Sequence, residues 1–245
     1  MSVQNNSLYF DGFGKFAGIN SSVLKILAIL LMCVDHFNAS VFHYKVTPMI
    51  IIGRIAFPLF AFMVAEGARR TKSREKYMLR LLIFAFASEV PFDFFVSSSL
   101  FDMSSQNVFF TLFFGLFSIW CYELLKAKGL KLLGVIPLLI ACMGATFLNT
   151  DYAATGVLCI FLLYVSVETE LPVRFLISAA AIALLSVNIK SDKINFVEIE
   201  LYALIALIPI FLYNGKKGFK MNKYFFYAFY PAHMLILRLL ASILA

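Results

Sequence analysis

ILAILLMCVDHF, residues 26–37, runs through nine apolar residues and then sets Asp35 and His36 side by side. A helix this apolar belongs in a hydrophobic surrounding, where ionisable groups are expensive and mark something the interior needs. Around this stretch the composition repeats the message. Hydrophobic residues make up 62% of the 245-residue chain and charged ones 14%. Mean hydropathy is +0.88. Such a chain is a multi-pass membrane protein, all-α, because helices satisfy their own backbone in lipid.

A hydrocarbon core takes about 20 residues of helix. The apolar runs predict nine spans near residues 23–40, 48–68, 76–97, 107–125, 130–149, 152–168, 172–189, 195–213 and 223–243. Only LNTDYA separates the fifth from the sixth. Residues 1–22 form a polar lead-in without the features of a signal peptide, and residues 23–245 a single transmembrane domain. Of the 21 Lys and Arg, fourteen fall at one set of loop ends, and only Lys45, Lys190 and Lys193 at the other. The positive-inside rule then predicts a cytoplasmic N-terminus. That topology accounts for the net charge of +7 without nucleic-acid binding. Cys33, Cys121, Cys142 and Cys159 sit in apolar runs without ligand spacing, so they read as small core residues, and no metal site is expected.

Each ionisable residue inside a span costs roughly 2.5–3.5 kcal/mol on insertion scales. Asp35, His36, Arg54, Glu89, Asp93, Glu198, Glu200 and Arg238 fall near the predicted outer ends, with Asp151 in an outer turn. Lys25, Glu66 and Arg80 lie nearer the inner ends, and His233 near the middle of the last span. The polar interior is therefore weighted outwards.

Lys25 and His36 are eleven residues apart, almost three turns, so they share a helix face about 16 Å apart. Lys25 can equally snorkel to the inner headgroups, and Asp35 and His36 can simply end the helix. Asp35 and His36 point about 100° apart, which makes a carboxylate from another helix the better partner for His36. SEVPFD (88–93) offers Glu89 and Asp93 on one face, with Pro91 loosening the helix between them. GRIAFPLFAFMVAEG (53–67) supplies Arg54 as a counter-ion for Asp35, Glu89 or Asp93. ARRTKSREKYMLR (68–80) is a topogenic basic loop that can also hold phosphates.

Several stretches together resemble the TraX family of bacterial membrane proteins. They are LKILAILLMCVDHF, GRIAFPLFAFMVAEG, KYMLRLLIFAFASEVPFDF, NVFFTLFFGL, DYAATGVLCIFLLY, LIPIFLYNGKKG and FFYAFYPAHMLIL, in order from residue 24 to 237. The family's namesake is associated with acetylation of the conjugative pilin N-terminus. The start of the chain is also similar to a wider group of transmembrane acyltransferases. These carry a basic residue, ten intervening residues and a catalytic histidine in the first helix, and use cytoplasmic acyl-CoA; Lys25 stands here where Arg is commoner.

The resemblance implies transfer of an acetyl or other acyl group from cytoplasmic acetyl-CoA to an outer acceptor. That acceptor is an amine or hydroxyl, as on a protein N-terminus or a glycan, and the setting is the bacterial cell membrane. His36 is the expected general base, oriented by Glu89 or Asp93, with Asp35 positioning the acceptor. Arg69, Arg70, Lys72 and Arg74 are expected to hold donor phosphates, and Lys25 to guide the thioester arm. Arg54 or His233 is expected to stabilise the oxyanion. A proton- or ion-coupled transporter would use the same buried groups, although no inverted repeat is visible. A non-catalytic chaperone or scaffold would tolerate loss of His36.

Overall fold

The computed structural model describes residues 18–188, 195–220 and 222–244. Lys15, Lys190 and Lys193, which entered the charge asymmetry, and most of the polar lead-in lie outside the described residues.

The described residues form an all-α bundle with no strand. Its helices are α1 (Ser21–Phe42), α2 (Thr47–Arg54), α3 (Ala56–Arg70), α4 (Arg74–Ser97), α5 (Val108–Ala127), α6 (Val135–Phe147), α7 (Ala153–Ser166), α8 (Leu171–Ala183), α9 (Asn195–Leu201), α10 (Leu207–Phe211) and α11 (Lys223–Leu244). Four helical stretches among the described residues are long and apolar enough to cross a membrane: Ser21–Phe42, Thr47–Arg70, Val108–Ala127 and Tyr224–Leu244. The 24-residue α4 has the length but carries Arg80, Glu89 and Asp93 inside it. The stretches at Lys131–Phe147, Ala153–Ser166 and Leu171–Val187 are apolar but shorter. The eighth expected span is broken into α9, a 3-10 turn and α10. Arg174, in the first turn of α8, is buried over the ring of Phe211.

Local chemistry sets the breaks and ends that matter for the site. Asn20 caps α1 by accepting from the backbone N–H groups of Ser22 and Val23. Pro58 has no N–H for the carbonyl of Arg54 four residues back, and the second span divides at Ile55. Asn107 caps α5 and also donates to the carbonyl of Ala85 in α4. Gly53 lets α2 approach α1, because a Cβ there would overlap the carboxylate of Asp35.

Packing places α1, α3, α4, α5 and α11 around a common interior, with α7 against α3 and α5. α6 and α8 cover α7 from outside. The dry core between α3, α5 and α7 includes Leu59, Leu116, Ile119, Val157 and Ile160, all nearly inaccessible. Exposed Leu, Ile and Phe side chains such as Leu132, Leu139, Phe86 and Ile236 cover the outside, as expected for a lipid-facing surface. Between α1, α3, α4 and α11 the packing opens into a cavity of about 990 Å³.

Candidate active site

The cavity joins two chemically different ends. Lys25, Arg70, Arg80, Lys217 and Lys220 line one, and Asp35, His36, Arg54, Asp151 and Glu200 the other. Between them the wall is largely apolar and aromatic, including Phe60, Met63, Phe109 and Tyr227.

At the second end, α1 and α11 are tied together. His36 Nδ1 lies 2.7 Å from His233 Nε2. His233 Nδ1 lies 2.9 Å from the carbonyl of Phe229. One turn away, Ser40 donates to the carbonyl of Leu237 at 2.9 Å. A carbonyl only accepts, so His233 carries its proton on Nδ1 and offers a lone pair at Nε2. His36 therefore donates from Nδ1, and its Nε2 is left as a lone pair at a cavity-lining side chain. Phe95 and Tyr230 flank the His36 ring at 5.3 and 6.3 Å.

Beside the dyad stands an ion network. Arg54 grips both oxygens of Asp35 at 2.8 and 3.0 Å and reaches Glu200 at 3.3 Å. The Asp35 and Glu200 residues are buried, so this pairing keeps two carboxylates from being stranded. Arg54 Nε is buried with no hydrogen-bond partner among the described residues. Asp151, in the turn before α7, lines the cavity. Enclosure by the walls pushes its carboxyl up to about 6, with the positive charge of Arg54 opposing the shift. Tyr152 follows in the left-handed region at φ 62° and stacks on Phe57 with ring centroids 3.8 Å apart.

Some expected partners are elsewhere. The ring of His36 is held by His233, not by a carboxylate. Glu89 accepts from the backbone N–H of Asn107 at 3.0 Å and from its side chain, so it secures the α4–α5 junction. Asp93 is buried and accepts from the backbone N–H of Asp102 at 2.9 Å, which fixes the following loop. Both carboxylates thus accept from backbone N–H groups beyond the end of α4, and their charge is satisfied there and not at His36. Glu200 and Asp151 were visible in the sequence only as outward-weighted charges; neither spacing nor motif joined them to Arg54.

The basic loop also divides. Arg69 stacks on Tyr164 at 4.2 Å and donates to its carbonyl on α7. Arg74 donates to the carbonyl of Ala68 at 2.9 Å and lies 3.7 Å from Glu123. Lys72 is exposed and does not line the cavity. Of the four expected phosphate ligands only Arg70 lines it, and Arg70 is bonded to Glu66, which also receives the hydroxyl of Tyr213 at 3.2 Å. Lys25 does line the cavity, its ammonium 5.2 Å from the ring of Phe226.

The helical bundle, its lipid-like surface and the polar interior define a helical membrane protein. The chain belongs to the TraX family: it matches the family described as TraX protein over residues 20–241. It is similar to the probable fimbrial assembly protein FimC, serogroup H1, of Dichelobacter nodosus. The two are 29% identical over 236 residues, covering 87% of this chain and 92% of that protein. No solved structure matches the chain.

Proposed function

We propose that this protein is a multi-pass enzyme of the bacterial cell membrane that transfers an acetyl group from acetyl-CoA to an acceptor amine or hydroxyl on the far side. The observation that carries the reading is one continuous cavity with a basic end, an apolar middle and a histidine dyad at the other end. The basic end faces the cytoplasm and its donor, following the positive-inside rule. The apolar middle takes the thioester arm, and the acceptor reaches His36 from outside.

In this mechanism His36 Nε2 removes the proton from the acceptor as its nitrogen or oxygen attacks the thioester carbon. The imidazolium keeps its bond to His233, whose orientation is set by the Phe229 carbonyl. The Arg54 guanidinium, at the cavity wall beside the dyad, supplies the positive charge that stabilises the oxyanion. The tetrahedral intermediate collapses with cleavage of the C–S bond, and the proton held by His36 leaves with CoA as its thiol. Asp35 and Glu200 hold Arg54 in place and add negative potential that draws a cationic acceptor amine towards the base; the amine gives up its extra proton to water before it attacks. The fimbrial-assembly name of the relative supports an exported protein N-terminus as acceptor.

The test is acetyl transfer or CoA release by purified protein in liposomes, wild type against His36→Ala. Loss of transfer in a variant that still elutes and melts as wild type supports the reading. Equal rates in both remove His36 from the chemistry. The Asp35–Arg54–Glu200 network also fits a proton-coupled transporter; acceptor-independent, pH-gradient-driven uptake with no CoA release would favour that reading.

A further inference from the structure

The loop between α10 and α11, NGKKGFK (214–220), reads in sequence as a run of topological charges. In the structure it is fastened to the first turn of α1. Ser22 Oγ lies within hydrogen-bond reach of the carbonyls of Lys217 and Phe219, at 2.9 and 2.7 Å. Ser21 N–H donates to the carbonyl of Lys216 at 2.9 Å, and Asn214 N–H to that of Ile19 at 2.9 Å. Gly218 takes φ 78°, and a Cβ there would overlap the Asn20 side chain that caps α1. These bonds engage the loop backbone and leave the Lys217 and Lys220 side chains exposed at the cavity wall.

Two further cations converge on the same end from other helices. Lys25 projects from the start of α1. Arg80 projects from α4, its guanidinium 5.5 Å from the ring of Tyr77, and its Nε is buried with no hydrogen-bond partner among the described residues. The carboxylate lining this end, Glu66, is already bonded to Arg70 and Tyr213. Four cations from three parts of the chain thus share a concave wall with no carboxylate paired to them among the described residues. A charge that only sets topology needs neither a fastened backbone nor a cavity.

The geometry points to this end of the cavity as the seat of the donor's phosphates: Lys25, Arg80, Lys217 and Lys220 take the diphosphate and 3′-phosphate of an acyl-CoA, in place of the contiguous Arg69–Arg74 run. The assignment rests on the acyltransferase reading. Lysines supply compact point charges, and arginine a planar fork for phosphate oxygens.

The test compares wild type with the Lys217→Gln/Lys220→Gln variant, using acetyl-CoA and acetyl-pantetheine, which lacks every phosphate. The variant should raise KM for acetyl-CoA by about tenfold or more and leave KM and kcat for acetyl-pantetheine unchanged. Calorimetric binding of free CoA should weaken in parallel, and vesicles of phosphatidylglycerol should not compete. Equal losses with both donors, or unchanged KM with both, overturn the assignment while transfer itself stands. Competition by phosphatidylglycerol with no CoA binding overturns it in favour of a lipid headgroup. Free CoA bound by wild type and weakened by the variant, with acetyl transferred by neither, supports the phosphate site and removes the acyltransferase reading.

Discussion

The two ends of the cavity handle charge in opposite ways. At the His36 end, ionisable groups are closed into fixed pairs: Asp35 and Glu200 on Arg54, His36 on His233, His233 on a backbone carbonyl. At the Lys25 end, apart from Arg70 on Glu66, cations rest over aromatic rings or stand exposed on a fastened loop. The first arrangement is organised before any substrate arrives, as an acid–base site must be. The second has unspent charge that a bound anion would neutralise. On the acyltransferase reading proposed above, one cavity would thereby separate the chemistry from the recognition of the donor.

The sharpest way to break this contrast is at the dyad. His36→Ala should lower acetyl transfer by about 10²–10⁴-fold, the range of general acid–base catalysis, with no change in elution or melting. A fall of less than threefold would mean that the paired end is structural. Arg54→Ala comes next and should act on stability. It strands two buried carboxylates, for about 3–5 kcal/mol, and the loss should appear as a lower Tm and poor yield in detergent. Gly53→Ala attacks the same pair through sterics, since its methyl group displaces Asp35.

His233 separates positioning from packing. His233→Gln keeps an acceptor for His36 Nδ1–H and should retain more activity than His233→Phe, by about tenfold. Identical rates in the two variants would deny the tautomer role. At the opposite end, rising ionic strength should raise KM for acetyl-CoA while leaving kcat at saturation unchanged, because exposed charges are screened.

The smallest effect concerns Asp151. In the unfolded chain its carboxyl ionises above its ordinary value of 3.8, and in the fold only above about 6. Between these values the folded state holds the extra proton, so this group's contribution to stability falls as pH rises through that window. Melting curves of wild type and Asp151→Asn from pH 4 to 7 should show the wild type losing more stability with rising pH. Parallel curves would show that the carboxyl is not shifted.

Much of this architecture was legible along the chain. The apolar runs mark where helices form, and the Asp35–His36 pair, Arg54 and His233 declared themselves by their cost in a hydrophobic setting. Opposite charge at similar depth offered Asp35, Glu89 and Asp93 alike as counter-ions for Arg54, and the fold pairs it with Asp35 and with Glu200. The partner of His36 did not follow, because His233 lies 197 residues away on α11 and depth alone gave Glu89 and Asp93 equal standing. The lysines of NGKKGFK were legible only as charge, since their fastening to Ser21 and Ser22 is a backbone matter.

By itself, then, the sequence determined the all-α class, the membrane-like surface and the short roster of interior ionisable groups. Each of these depends on local hydropathy and on the need of a backbone in lipid to bond within its own helix. The tertiary structure alone decided who pairs with whom: His36 with His233, Glu89 with Asn107, Arg69 with Tyr164. Those choices depend on the rotation of each helix about its axis and on which neighbour it meets, and both are set by packing between segments distant in the chain.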